Sequence, residues 1–195
     1  MAVAAPVTVA ALGDSLTQGY GLVPEDGFVP QLEAWLRAQG ADVEVLNAGV
    51  SGDTTQGGLS RVGWTLTPEV DAMIVALGGN DLLRGIDPAV SRANLAGILR
   101  AAGEAGVAVM LVGLQAPGNY GPEYKRDFEA MYPELAAEFG ALHVESFLGP
   151  LGERIEAGGA AELMQADGLH PSKAGVALIV EGLGPRVLEL IGRVK

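Results

Sequence analysis

The chain has 195 residues, of which 49% are hydrophobic and 18% are charged, and its formal net charge at pH 7 is −12. This length and composition predict one globular domain over residues 1–195, whose buried surface stabilises it without a disulfide or a structural metal. The absence of cysteine excludes zinc fingers, iron–sulfur ligation and a thiol nucleophile, and the acidic charge argues against nucleic acid or stable attachment to a membrane.

The first residues contain no recognisable targeting or membrane-spanning signal. Residues 1–6 include no basic side chain and are too few to form the apolar part of a signal peptide before a strand-like run begins at Val7. Two locations therefore stay open. The protein is cytoplasmic, or it is the processed form of an exported protein with an added initiator methionine.

Five short apolar runs recur along the chain, most of them rich in β-branched residues, and they predict β-strands. In chain order they cover residues 7–12, 43–46, 72–77, 107–112 and 142–144. Because the runs are almost wholly apolar, the strands are expected to be buried on both faces, as in a parallel sheet.

Apolar side chains at helical spacing predict a helix after each strand. The first helix is expected to start at Asp26 as its cap, and the second covers residues 55–66 with Asp53 as its cap. The third is expected to start at Asp87 and Pro88, a capping residue followed by proline at the first helical position.

The last two predicted helices contain proline. Pro133 lies inside the fourth helix and is expected to kink or split it. The fifth helix starts near Ser172, and the segment from Gly182 to Pro185 is expected to break it.

Strands that alternate with helices indicate βαβ units. They predict an α/β protein, a three-layer α/β/α sandwich around a five-stranded parallel sheet. In such sheets ligands bind outside the carboxyl ends of the strands, near the point where the strand order reverses. The loops after the strands are therefore where functional residues are expected.

The loop after the first strand reads Gly13-Asp14-Ser15-Leu16. Ser15 can present its hydroxyl and its N–H to the crevice, or it can simply cap a helix in a phosphate-type turn. Nucleotide motifs are absent, since the chain contains neither G-x-x-x-x-G-K-[ST] nor G-x-G-x-x-G after a strand. The G-x-S-x-G elbow is also missing, because Thr17 stands where its second glycine belongs.

The next two loops contain possible donors to an oxyanion. Gly52 follows the second strand, where a backbone N–H unhindered by a side chain can point at a developing negative charge. Asn80 follows the third strand, within Gly78-Gly79-Asn80-Asp81, and its amide can donate in the same way. The alternative is a structural turn at both places.

Asp167 and His170 are three residues apart before the last helix. Within one turn this spacing can place a carboxylate on the Nδ1–H of the imidazole and leave Nε2 free as a base. An exposed turn or a metal pair is the alternative. His143 is the only other histidine and falls within a predicted strand, so no metal site is expected.

The four loops are more informative together than singly. A nucleophile, a base, a residue that orients the base and oxyanion donors are what acyl transfer to water requires. Their common position at the carboxyl ends of the strands predicts an active site there.

The four loop sequences, which contain Ser15, Gly52, Asn80 and His170, resemble in content and order the sequence blocks of the SGNH/GDSL hydrolase superfamily. The chain resembles most closely the bacterial thioesterase I/lysophospholipase L1/arylesterase group of that superfamily. The closer likeness also depends on three further segments, namely Ser51-Gly52-Asp53-Thr54-Thr55 running to Leu59-Ser60-Arg61, Leu82-Leu83-Arg84-Gly85, and Ala116-Pro117-Gly118-Asn119-Tyr120-Gly121. The resemblance implies a flavodoxin-like sheet, no cofactor and, as in many members, export to the periplasm. It also implies Ser15 as nucleophile, His170 as base, Asp167 as its partner, and Ser15, Gly52 and Asn80 as oxyanion donors.

The resemblance implies a serine hydrolase that cleaves small-molecule aryl and alkyl esters, thioesters and lysophospholipids. Asn119 and Tyr120 are the expected substrate-binding residues, in a loop where Pro117 and Gly118 depart from the family pattern and leave the acyl preference open. The alternatives are a carbohydrate O-deacetylase with the same site and a non-catalytic flavodoxin-like binding module.

Overall fold

A computed structural model describes residues 5–194, in which five parallel strands form one sheet in the order β2-β1-β3-β4-β5. The strands are β1 Val7–Gly13, β2 Val43–Gly49, β3 Ala72–Ala76, β4 Ala108–Val112 and β5 Leu142–Val144. Each contains most of one predicted apolar run, which confirms the five-stranded parallel sheet.

A helix follows each strand, as predicted, and the connecting loops contain additional short helical turns. The α-helices are α1 Ser15–Gln18, α2 Phe28–Ala38, α3 Thr55–Thr65, α4 Gly79–Leu83, α5 Pro88–Glu104, α6 Pro122–Phe139, α7 Gly152–Arg154, α8 Ala160–Leu163 and α9 Lys173–Ile191. Two 3₁₀ turns, Pro24–Asp26 and Gly149–Leu151, and a π-turn, Ile155–Gly159, complete the described elements.

Helices cover both faces of the sheet and enclose one apolar cluster on each side. On one face α2 and α9 pack together and bury Phe28, Leu32 and Ile179. On the other face α5 packs between α3 and α6 and buries residues such as Ile98 and Phe128. The predicted three-layer α/β/α sandwich is confirmed.

Two predicted helix caps are wrong by one residue. Asp26 is the last residue of a 3₁₀ turn, and Gly27 is the N-cap of α2. Thr54, not Asp53, caps α3 by accepting a hydrogen bond from the Gly57 N–H. The carboxylate of Asp53 is instead 2.6 Å from the Nε of an arginine in α3.

Pro133 does not split the fourth predicted helix, and the predicted break at Gly182 to Pro185 is wrong. Both α6 and α9 are continuous through Pro133 and Pro185, because side chains packed on either side of each proline offset the single backbone hydrogen bond that it removes. Glycine in α9 has a packing role. A Cβ on Gly184 would lie 2.5 Å from the ring of Trp35, so this position requires the close approach that only glycine permits.

Within residues 5–194, no helix is long and apolar enough to cross a bilayer. The prediction that residues 1–6 contain no targeting signal falls mainly on residues 1–4, which lie outside the described part of the chain.

Candidate active site

The carboxyl ends of β1, β2 and β3 lie side by side and bring three loops to one place. Gly13, the last residue of β1, is in register with Gly49 of β2 and Ala76 of β3. The next residues along each chain segment line one open cavity of about 380 Å³, together with the turn that precedes α9. The predicted residues that line it are Ser15, Gly52, Asn80 and His170.

Ser15, His170 and Asp167 form a continuous hydrogen-bonded row. The Nε2 of His170 is 2.8 Å from the Oγ of Ser15, and its Nδ1 is 2.7 Å from the Oδ2 of Asp167. Gln165 closes the turn that carries the histidine, because its N–H donates to the carbonyl of His170 at 2.8 Å. The ring of Tyr20 lies against the imidazole, with 4.6 Å between the ring centroids.

The Asp167 carboxylate is held in its ionised form. Its hydrogen bond to the His170 side chain, with further bonds from the N–H groups of His170 and Leu169, lowers the pKa of Asp167 from 3.8 to about 2. An ionised carboxylate can only accept, so it favours the tautomer with the proton on Nδ1. Nε2 is then available to accept the proton of the Ser15 hydroxyl.

The three predicted oxyanion donors surround the same cavity. Ser15 is the first residue of α1, so its N–H has no partner inside that helix. Gly52 has φ of +82°, a conformation that favours glycine, and it places the loop after β2 against the cavity. Asn80 lies in α4, and its amide faces Asp14, the residue before Ser15.

Asp14 is not predicted as a site residue from the sequence, yet it is buried next to Ser15 with 3% of its surface exposed. It accepts hydrogen bonds from the Leu16 N–H at 3.0 Å and, at a longer 3.4 Å, from the Nδ2 of Asn80. Burial raises the pKa of Asp14 from 3.8 to about 6, against the opposing effects of the Leu16 N–H and of His170. Above that pH the carboxylate accepts only, which orients the Asn80 amide with its NH₂ group inward.

We expect Asp14→Asn to stabilise the fold at pH 8. The folded protein holds the Asp14 proton up to about pH 6, whereas the unfolded carboxyl loses it near 3.8, so wild-type stability falls as pH rises between these values and stays lower above them. Removing the charge should raise the free energy of unfolding at pH 8 by up to roughly 3 kcal/mol.

Urea unfolding at pH 8 and pH 4 measures this difference, which should largely vanish at pH 4. Asp42→Asn removes an exposed carboxylate and serves as the control, whose free energy of unfolding should stay close to that of the wild type. A destabilised Asp14→Asn protein at pH 8 would contradict the pKa assignment.

Leucine and proline side chains form most of the remaining cavity wall, namely Leu16, Leu82, Leu83, Leu114, Pro117, Leu148 and Leu169. Asn119 and Tyr120, the expected substrate-binding residues, do not line it. The Tyr120 ring packs on Tyr124, and its hydroxyl donates to the Leu83 carbonyl. Leu114 and Pro117 of the same connection line the cavity instead.

His143 lies in β5 as predicted, away from the lining of this cavity, and burial lowers its pKa. Within residues 5–194, no three histidine, cysteine, aspartate or glutamate side chains are grouped in a way that could hold a metal ion.

Two arginines near these loops are also not predicted as site residues from the sequence. The Arg61 guanidinium donates to the carbonyls of Gly13 and Ala48 at 2.9 and 2.7 Å, and so joins the ends of β1 and β2. Arg84 donates to the Gly52 carbonyl at 2.9 Å. Both occur in segments that carried the family resemblance, but only the folded chain shows which carbonyls they bind.

The chain is similar to several known proteins. Residues 11–178 match the GDSL-like Lipase/Acylhydrolase family. The chain is 39% identical over 189 residues to Esterase TesA of Pseudomonas aeruginosa, covering 96% of this chain and 91% of that protein. It is 33% identical over 190 residues to Thioesterase 1/protease 1/lysophospholipase L1 of Escherichia coli K12, covering 96% and 86%. The crystal structure of AlinE4, an SGNH-hydrolase family esterase, superposes with a TM-score of 0.79 at 39% identity, over 96% of this chain and 98% of that one.

A parallel α/β sandwich with its polar loops at the carboxyl ends of β1, β2 and β3 is the architecture of the SGNH hydrolases that this chain resembles. The chain belongs to the GDSL-like lipase/acylhydrolase family and is an esterase of that family. The resemblance seen in the sequence, and the ester-hydrolase class that it implied, are confirmed.

Proposed function

We propose that the protein hydrolyses acyl esters and thioesters through a covalent acyl-enzyme on Ser15. The observation that carries this proposal is the row of hydrogen bonds from Ser15 Oγ through His170 to Asp167, with lengths of 2.8 and 2.7 Å. A hydroxyl within reach of a neutral imidazole, which a carboxylate orients in turn, is the arrangement that activates a serine.

In the proposed first step the Ser15 Oγ attacks the acyl carbonyl carbon, and its proton moves to the Nε2 of His170. The oxyanion that forms accepts hydrogen bonds from the N–H groups of Ser15 and Gly52 and from the Asn80 amide. Collapse breaks the bond to the alcohol or thiol, which leaves with the proton from Nε2. Water then attacks the acyl carbonyl carbon and gives a proton to Nε2; the bond to Ser15 Oγ breaks, the acid is released, and Oγ takes that proton from Nε2.

The cavity supports an acyl substrate with an apolar chain. Its wall is mainly leucine and proline, and each methylene removed from water there contributes about 0.8 kcal/mol. The net charge of −12 gives no steering toward polyanionic thioesters, whereas neutral esters and zwitterionic lysolipids meet no such repulsion. The relatives named thioesterase and lysophospholipase support the same range of substrates.

Reaction with a fluorophosphonate tests the proposed function. We expect one label per chain, on the peptide that contains Ser15, because only a base-activated hydroxyl reacts quickly. Mass spectrometry of a digest locates the label. Labelling of Ser51 or Ser172 would contradict the assignment, and a chain that takes no label would be the non-catalytic binding module.

A substrate panel separates the esterase from a carbohydrate O-deacetylase. We expect hydrolysis of p-nitrophenyl acetate and p-nitrophenyl decanoate and little release of acetate from acetyl-xylan. Periplasmic location is a separate proposal, which osmotic-shock fractionation of the native host would test.

We expect Leu114→Phe to change acyl-chain preference without changing the chemistry. The larger ring would fill part of the cavity, so the ratio of kcat/KM for decanoate to that for acetate should fall about tenfold or more. Fluorophosphonate labelling of Ser15 should stay close to that of the wild type. Asn119→Ala, outside the cavity wall, is the control and should keep the wild-type ratio; an equal loss on both esters in Leu114→Phe would contradict the role of the wall.

A further inference from the structure

A buried polar network lies beneath the loops that carry the oxyanion donors. Thr55, Asp81 and Ser91 have no exposed surface, and Asn94 has 7%. The Asp81 carboxylate accepts hydrogen bonds from the Thr55 N–H at 2.8 Å, from the Thr55 hydroxyl at 2.6 Å and from the Ser91 hydroxyl at 2.8 Å. The Asn94 amide donates to the Thr55 hydroxyl oxygen at 3.0 Å.

The network joins the two segments that hold Gly52 and Asn80. Asp81 directly follows Asn80 in α4, and Thr55 is the first residue of α3, three positions after Gly52. Ser91 and Asn94 belong to α5, which packs against α3. The carboxylate therefore links the loop after β2 to the loop after β3 and fixes both to a long helix.

Neither segment can hold this arrangement alone. Helix α4 has five residues, too few for stable helix formation without tertiary contacts, and Gly52 lies in a loop with a left-handed backbone. A buried carboxylate with only neutral donors is costly to desolvate, and apolar residues would fill the same space at lower cost. The hydrogen bonds of the Asp81 carboxylate are directional, so they can fix the separation between the two loops, which apolar packing would not do.

We propose that Asp81 is a positioning residue that sets the separation between the Gly52 N–H and the Asn80 amide through Thr55 and Ser91. This inference rests on the proposed function, since it assumes that both donors bind the same oxyanion. Oxyanion donors act through preorganised geometry, and a shift of about 1 Å far from the reacting atoms can cost about a hundredfold in rate.

Thr55→Val tests the role, because it removes the hydroxyl between Asp81 and Asn94 and keeps the shape of the side chain. We expect kcat for p-nitrophenyl butyrate to fall about 10- to 100-fold with KM within about twofold, since the interaction is needed only as charge develops. Thr55→Ser keeps the hydroxyl and should restore kcat to near the wild-type value. Thr65→Val makes the same change in α3, where the hydroxyl bonds only within the helix, and should leave kcat unchanged.

A double-mutant cycle with Asn80→Ala separates positioning from general stabilisation. If the network acts by aligning Gly52 with Asn80, the effect of Thr55→Val should shrink to within about threefold once the Asn80 amide is absent. Melting temperatures, measured beside the kinetics, show that every variant is folded at the assay temperature. Ser91→Ala keeps both bonds to Thr55 and, as a milder variant that should fold, is expected to lower kcat about three- to tenfold.

Two results would overturn the positioning role. One is a folded Thr55→Val or Ser91→Ala protein with wild-type kcat, whatever its melting temperature, since the network would then have no effect on the donors. The other is a loss of kcat in Thr55→Val that is equally large with and without the Asn80 amide. In both cases the wild-type protein is still an active esterase, so only the positioning role fails. A wild-type protein that neither hydrolyses esters nor reacts with fluorophosphonate would contradict the proposed function and, with it, the positioning role.

Discussion

Ser15→Ala is expected to lower kcat for p-nitrophenyl butyrate by roughly 10⁴- to 10⁶-fold and to abolish fluorophosphonate labelling. The hydroxyl oxygen that would form the acyl-enzyme is the only atom removed, and it is 2.8 Å from the Nε2 of His170. The residue is small and lies at the edge of the cavity, so the fold should be unaffected. Circular dichroism and the melting temperature check this, while stopped ester assays at high enzyme concentration measure the residual rate.

The matched control is Ser60→Ala, which removes an exposed hydroxyl in α3 that bonds only to the Gly57 carbonyl. It should keep wild-type kcat and take one label per chain. A Ser15→Ala protein with more than a few per cent of wild-type activity would show that another group attacks the ester.

Asn80→Ala should lower kcat by roughly 10²–10³ and leave KM within about threefold, the effect typical of deleting one preorganised oxyanion donor. The Asn80 amide faces Asp14, the residue before Ser15, and it should bind the carbonyl oxygen more strongly as negative charge develops than in the ground-state ester. Interactions that strengthen in the transition state appear in kcat. Steady-state kinetics on two esters of different chain length give both constants.

Asn119→Ala is the matched control for the Asn80 variant. Asn119 does not line the cavity, so neither constant should change. A large rise in KM at unchanged kcat in Asn80→Ala would make Asn80 a substrate-binding residue and would also remove the basis for the positioning role of Asp81.

The sequence was sufficient to predict features that depend on residues close together in the chain. The strands follow from apolar β-branched runs of a few residues, and each β-strand of the sheet contains most of one such run. Asp167 and His170 form their pair within one turn, since three residues of spacing suffice for the carboxylate to reach Nδ1. The blocks around Ser15, Gly52 and Asn80 were also readable, because polar loops at strand ends converge in any parallel sheet.

Helix ends and interruptions were predicted less well, because their signals compete over one or two residues. Asp26 and Asp53 are good capping residues by type, but neighbouring Gly27 and Thr54 occupy the cap positions. Pro185 lies inside a continuous helix, because the packing of α9 against α2 outweighs a local preference to break. Residue propensities describe only the local chain, so they do not include the stabilisation that comes from packing between α9 and α2.

Only the tertiary structure decided which distant residues share an environment. The pairs Asp14 with Asn80 and Asp81 with Thr55 are 66 and 26 residues apart in the chain, and their hydrogen bonds depend on how α3 and α4 pack at the ends of the strands. Leu114 lines the cavity, whereas Tyr120 of the same connection packs on Tyr124 and does not line it. The sequence thus determined the strands and the chemical type of the site, because both depend on residue type and short-range order. Burial, the raised pKa of Asp14 and the shape of the cavity were decided by tertiary packing, because each depends on side chains brought together from separate segments.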